Sequence, residues 1–303
     1  MNPVFCVISH THWDREWYLP FEQMRLRLLD LMDHLLALLD EEPGYIFHLD
    51  AQTVVLEDYL EIRPEREETL RSYIAQGRIR VGPWYVQNDF YLTAGESTVR
   101  NLMLGMQTAE RYGGCDRVGY APDQFGNCAQ LPQLLAGMGI DSFIFGRGCP
   151  QSRGAGRPMP TEFLWEGSDG TSCLAINLRD WYNNAQRFSE NIDYALGQLD
   201  RIENKLCGVV TTPYYLLMNG VDHLEAQENL FPILKRIQAR RPDARLKQTT
   251  LEQYVKDVRR YHTDNRTELA RWRGELRCGD DSSVLVNTLS SRVYVKQAND
   301  RCE

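Results

Sequence analysis

Short apolar strands alternate with amphipathic helices along most of this sequence, and three of the strands run straight into acidic residues or histidines. Residues 4–9, rich in β-branched and aromatic side chains, lead into His10, His12 and Asp14. Residues 118–121 lead into Asp123, and 209–218 lead into Asn219, Asp222 and His223. Around them, apolar spacing predicts helices from Pro20 to near Pro43-Gly44 and over 54–76, 96–112 and 129–138, with further strands at 45–49, 79–86 and 142–145. Repeated β–α units predict an α/β fold built on a parallel sheet or barrel. In such folds, groups just past the C-terminal ends of strands form the active site.

A chain of 303 residues with 43% hydrophobic side chains can bury a sizeable core as one large domain or two ordinary ones. Its net charge of −8 argues against nucleic acid as the partner. No apolar run approaches the roughly 18 to 20 residues of a membrane span, and the start of the chain lacks a secretion signal, so a cytoplasmic protein without a membrane partner is expected. The eight cysteines are scattered, with no C-x-x-C pair, and read as reduced thiols. Residues 149–160 read as an excursion at a strand end. From Arg271 onward, with Gly274, Gly279 and the polar residues 280–283, periodicity is lost. The expected organisation is a barrel over 1–270 and a C-terminal extension over 271–303.

His10-Thr11-His12-Trp13-Asp14 sets His, His and Asp on one side of an extended segment, because side chains two apart on a strand point the same way. Such a group can chelate one ion, and imidazole nitrogen with carboxylate oxygen suits Zn²⁺. The bland alternative is two loop histidines beside a capping aspartate. Asp123, within Gly119-Tyr120-Ala121-Pro122-Asp123-Gln124-Phe125-Gly126-Asn127, can ligate a metal, attack a substrate, or do both; equally it fits a turn or a helix cap. Asp222 is the third carboxylate at a strand end. Glycoside hydrolysis needs two carboxylates, although a helix cap ahead of residues 224–234 accounts for Asp222 as well.

Together these residues resemble glycoside hydrolase family 38, the zinc-dependent retaining α-mannosidases. His10-Thr11-His12-Trp13-Asp14-Arg15-Glu16-Trp17 looks like the family's opening H-x-H-x-D-x-x-W motif. Asp50-Ala51-Gln52 with Leu56-Glu57-Asp58-Tyr59-Leu60, Gly82-Pro83-Trp84-Tyr85-Val86-Gln87, Gly95-Glu96-Ser97 with Arg100-Asn101-Leu102, and Pro122-Asp123 with Phe125-Gly126 follow as its later blocks in order. The resemblance implies an irregular (β/α) barrel of about seven parallel strands with a zinc site at their C-terminal ends. It implies one Zn²⁺ per chain held by His12, Asp14 and Asp123. Asp123 would also be the nucleophile that forms a glycosyl-enzyme intermediate, and Asp222 the candidate general acid/base. Trp17 and Phe125 would line the mannose pocket, supported by Arg147, with His10 behind the ligands. The zinc would also bind the sugar's 2- and 3-hydroxyls. The substrate implied is a terminal α-mannoside or a mannosylated small molecule.

The chain departs from the family in one place that matters. The family's fourth zinc ligand is a histidine in a downstream His-Asp motif, and none follows Asp222. A missing C-terminal region carrying the family's helical domain, or a partner chain, is expected to supply it. His262 reads as a surface residue, His34 and His48 as packing or capping residues, and Trp84 as core. Two other functions compete: a metal-dependent polysaccharide deacetylase, which also uses Asp and His ligands, and an inactive carbohydrate-binding fragment.

Overall fold

Ten strands form among the described residues: β1 (Val4–Thr11), β2 (Phe47–Leu49), β3 (Ile79–Arg80), β4 (Gly119–Ala121), β5 (Ser142–Phe145), β6 (Glu162–Glu166), β7 (Ser172–Asn177), β8 (Tyr214–Asn219), β9 (Arg245–Gln248) and β10 (Ala270–Arg273). They come from a computed structural model that describes residues 2–280 and 283–303; Met1, Asp281 and Ser282 lie outside the described residues, the last two within the polar stretch 280–283. The helices are α1 (Phe21–Glu41), α2 (Val54–Leu60), α3 (Glu67–Ala75), α4 (Gly95–Tyr112), α5 (Leu131–Gly137), α6 (Ile192–Leu206), α7 (Leu230–Arg240), α8 (Leu251–Asn265) and α9 (Val293–Cys302).

The apolar run at the N-terminus is continuous because β1 is covered on both faces. Phe5 and Val7 pack into one core with α1 residues such as Leu28 and Leu35, whereas Cys6 and Ile8 point into a second core with Phe143, Phe145 and Trp165. Parallel neighbours flank β1: β8 along Val4–Ser9 on one side, and on the other β9 along Val4–Val7 and then β2 at His10 and Thr11.

The strands divide between two five-stranded sheets, one ordered β3-β2-β1-β8 with β9 also on β1, the other β10-β6-β7-β5-β4. The expected irregular barrel of about seven parallel strands is found as an α/β fold with mixed sheets, and no strand pairing among the described residues joins the two sheets. The pair β6–β7 is antiparallel. The short Gly167 to Thr171 turn between them, with Gly170 at φ 86°, can only reverse the chain, because a parallel pair needs a crossover of a dozen residues or more.

Two other elements differ from expectation for local reasons. The helix expected over 54–76 is interrupted between α2 and α3 at Pro64, which has no N–H to continue it. The strand expected over 79–86 stops at Arg80, ahead of the positive-φ Gly82 and of Pro83. At the other end of the chain, β10 crosses the boundary expected between 270 and 271 and runs parallel to β6. Bridges from Leu276 to Asn127 and from Cys278 to Gly148 continue that attachment. Helix α9 buries none of its residues and leaves Val293, Tyr294 and Val295 exposed. No disulfide joins any of the eight cysteines, and no described helix is long and apolar enough to cross a membrane.

Candidate active site

The end of β1 and the segment after β8 are stitched together. The His12 N–H donates to the Val221 carbonyl at 3.2 Å, and the His223 N–H donates to the His12 carbonyl at 2.9 Å, making a parallel bridge between His12 and Asp222. Gly220 permits this approach, since a Cβ there would lie 1.9 Å from the His10 carbonyl oxygen. Helix α7 starts only at Leu230, with Asn229 at its cap position, so Asp222 is not a helix cap.

His12 is buried, and its Nδ1 lies 2.8 Å from Asp50 Oδ2. The same Asp50 oxygen accepts the Trp13 N–H at 2.9 Å and Gln52 Nε2 at 2.8 Å. To deliver it, the chain passes through two successive left-handed non-glycine residues, Asp50 at φ 49° and Ala51 at φ 57°. Strain of this kind persists where the surroundings enforce it. The other nitrogen, His12 Nε2, faces Asp14 Oδ1 at 3.8 Å. Burial acts to lower the His12 pKa, but Asp50, with Asp14 and Asp123, more than reverses this and holds it at about 10. Three carboxylates around one imidazole make a strongly cation-favouring environment.

Burial works to raise the Asp14 pKa, yet the bond to His223 and the charges of His12 and His223 hold it below the usual carboxylate range. Burial raises Asp123; His12 and Arg147 oppose this, and Asp222 adds to it. Asp123 Oδ1 accepts Arg147 Nη2 at 2.6 Å and Nε at 2.9 Å, and the guanidinium stacks 4.9 Å from the Trp181 ring. Asp222 Oδ1 accepts the Tyr182 hydroxyl at 3.0 Å.

A cleft of about 380 Å³ is lined by His12, Asp14, Asp123 and Phe125 among others. The structure therefore gathers the groups at the ends of β1 and β4 at one opening, while Asp222, after β8, is not among the lining residues. Arg147 binds Asp123 and approaches Phe125 at 5.8 Å. His10 does not line the cleft: it is buried behind His12, with Nε2 2.8 Å from the Tyr182 carbonyl. Trp17 is 64% exposed and packs edge-on against Tyr18 outside the cleft wall.

His262, expected at the surface, is buried. Its ring meets Thr211 Oγ1 at 2.9 Å and Thr267 Oγ1 at 2.7 Å, because α8 turns that face toward the loop before β8. His34 meets the Ala226 carbonyl at 3.2 Å, and Trp84 is core, donating Nε1 to the Tyr120 carbonyl at 2.8 Å. Sequence reasoning assigned no role to Asp50, His223 or Tyr182. The signals present were the Asp50-Ala51-Gln52 block and the Asp222-His223 pair at a strand end.

Among the described residues, no three His, Cys, Asp or Glu side chains stand close enough to hold an ion as arranged, with Asp123 turned onto Arg147. The donor chemistry nonetheless fits zinc: one imidazole whose second nitrogen is backed by a carboxylate, and two further carboxylates at the same cleft.

The model of the glycosyl hydrolases family 38 N-terminal domain matches residues 3–275. This chain belongs to glycoside hydrolase family 38. The matched region is a glycosidase domain of the α-mannosidase type. A "Putative mannosylglycerate hydrolase" of Halalkalibacterium halodurans is 40% identical over 98% of this chain and 34% of its own length. "Alpha-mannosidase G" of Dictyostelium discoideum is 25% identical over 98% of this chain and 26% of its own. Among solved structures, an alpha-mannosidase from Enterococcus faecalis V583 superposes with a TM-score of 0.92 at 33% identity, over 98% of this chain and 34% of that one. The family 38 chain thus spans between about a quarter and a third of the length of these relatives.

Proposed function

We propose that this family 38 domain hydrolyses terminal α-mannosides with retention of configuration, with Asp123 as nucleophile and Asp222 as general acid/base. The observation that carries this reading is the meeting of strand ends: Asp123 opens onto the same cleft as His12 and Asp14, and the His12–Asp222 bridge ties Asp222 to the end of β1. In the first step an Asp123 oxygen bonds to the anomeric carbon while the bond to the leaving oxygen breaks, and Asp222 gives that oxygen its proton. In the second, Asp222 takes a proton from water, whose oxygen attacks the anomeric carbon and releases Asp123. Arg147 holds Asp123 Oδ1, leaving the second oxygen for attack. Tyr182 donates to Asp222 and fixes its direction.

One Zn²⁺ would be held by His12, Asp14 and Asp123, and when bound it supplies Lewis-acid polarisation of sugar hydroxyls. A fourth protein ligand would come from a further region of a longer chain or from a partner chain, in keeping with the length of the relatives. Eight cysteines without a disulfide suit a reducing, cytoplasmic setting. The name of the Halalkalibacterium relative makes mannosylglycerate the first substrate to try.

The test is covalent trapping. An activated fluorinated α-mannoside is expected to label the peptide carrying Asp123 in the wild-type protein and nothing in Asp123→Ala, while NMR of the first-formed sugar shows the α anomer. Turnover giving the β anomer rejects the retaining assignment. Acetate released from an acetylated glycan instead of mannose identifies a deacetylase, and sugar binding without turnover in zinc-loaded protein identifies an inert binding module.

A further inference from the structure

His223 is placed with unusual care for a residue that sequence gave no task. Its backbone is left-handed, at φ 55°, which a non-glycine residue adopts only under constraint. Its side chain is 3% exposed, although it follows directly on Asp222. The ring sits edge-on to Trp13, centroids 5.0 Å apart, and 5.5 Å from Tyr18.

Both ring nitrogens are engaged. Nε2 lies 3.3 Å from the Asp14 backbone nitrogen and 3.3 Å from Asp14 Oδ2. Nδ1 meets the Tyr18 hydroxyl at 3.0 Å, and that hydroxyl also accepts Arg27 Nη1. Whichever tautomer the ring takes, Nε2 finds a partner on Asp14: unprotonated it accepts the backbone N–H, and protonated it donates to the carboxylate. The other Asp14 oxygen is the one that faces His12. His223 therefore grips Asp14 from the side away from His12, and its own N–H, bonded to the His12 carbonyl, ties that grip to the end of β1.

We propose that His223 is the positioning residue for Asp14, fixing the direction of its carboxylate beside His12 and so setting the cation affinity of the site. This rests on the reading of His12, Asp14 and Asp123 as the zinc-holding group. An outer imidazole that orients a ligating carboxylate contributes on the order of 10–100-fold in metal affinity. Because asparagine tolerates the left-handed conformation, His223→Asn keeps the backbone and removes only the ring.

The experiment titrates Zn²⁺ against a chromophoric chelator for the wild-type chain, His223→Asn and Tyr18→Phe, with thermal midpoints recorded alongside and the absorption spectrum of bound Co²⁺ as a report on ligand geometry. The expected result is zinc binding by the wild type, about 10–100-fold weaker binding by folded His223→Asn with an altered Co²⁺ spectrum, and a smaller loss in Tyr18→Phe, which releases Nδ1 and Arg27 Nη1 but leaves the Nε2 contact with Asp14. Folded His223→Asn with wild-type affinity and spectrum overturns the proposal while leaving the zinc reading intact. If His223→Asn does not fold, unchanged affinity in Tyr18→Phe overturns it. No zinc binding by the wild type overturns the reading of His12, Asp14 and Asp123 as a group that holds zinc on this chain, and this inference with it.

Discussion

Arg147 and Asp123 meet side by side, Nη2 and Nε both donating to Asp123 Oδ1 at 2.6 and 2.9 Å. The same guanidinium reaches the Asp123 backbone carbonyl with Nε at 3.0 Å and the Ser283 carbonyl with Nη1 at 2.7 Å. It thus ties the proposed nucleophile to the returning C-terminal segment. Arg147→Met is expected to lower α-mannoside hydrolysis about 10²-fold by letting Asp123 swing. Arg147→Lys is expected to recover little of it, because an ammonium cannot present two donors in a fixed fork. Full recovery with lysine, read from kcat/KM of the three proteins, would mean that charge rather than geometry is what Asp123 needs.

Ala51 sits at φ 57° with its Cβ in the left-handed region, immediately after Asp50 at φ 49°. Ala51→Gly is expected to stabilise the fold by roughly 1 kcal/mol, since glycine adopts this conformation without the steric cost. A higher urea midpoint at unchanged slope is the sign to look for; a lower one means that Ala51 contributes more by packing than it costs by strain.

Gly220 stands where a Cβ would lie 1.9 Å from the His10 carbonyl oxygen, backbone against backbone. Gly220→Ala is expected to cost about 3 kcal/mol or more and to displace Asp222 with it. Gly197, inside α6 with nothing within 4 Å of its missing Cβ, is the contrast. Gly197→Ala is expected to gain about 0.5–1 kcal/mol through helix propensity. Thermal melts of the two variants should therefore move in opposite directions.

Asp116 is buried against Arg80, with His48 Nδ1 at 3.6 Å. Burial pushes its pKa up to about 7, with Arg80 opposing and Glu252 adding. A carboxyl whose folded pKa exceeds its unfolded one stabilises the fold fully below the unfolded value, and that contribution is lost as pH rises to the folded value. Asp116→Asn removes this dependence. Its stability relative to wild type is expected to be most favourable above pH 7 and to decline toward pH 4, as checked by urea midpoints at pH 4.5 and 7.5. A constant difference would show that Arg80 keeps Asp116 ionised throughout.

Much of the molecule was legible along the chain. The apolar periodicity of α1 and the continuous apolar run of β1 are local statements about which side chains must leave water, and both elements form where that pattern lies. The ordered blocks from His10 to Gly126 identified the family, because each carries reactive side chains in a spacing that depends only on the strand or turn beneath it. What local pattern could not convey was pairing. Only the packed fold brings Asp50 against His12, sets His223 beside Asp14 and turns Arg147 onto Asp123, partners separated by 38, 209 and 24 residues. The division into two sheets and the burial of His262 depend on the same long-range contacts. Sequence determined which groups stand at the strand ends, through the two-residue period of a strand; tertiary structure decided which way each group faces, because that direction is fixed by hydrogen bonds and ring contacts from segments far away in the chain.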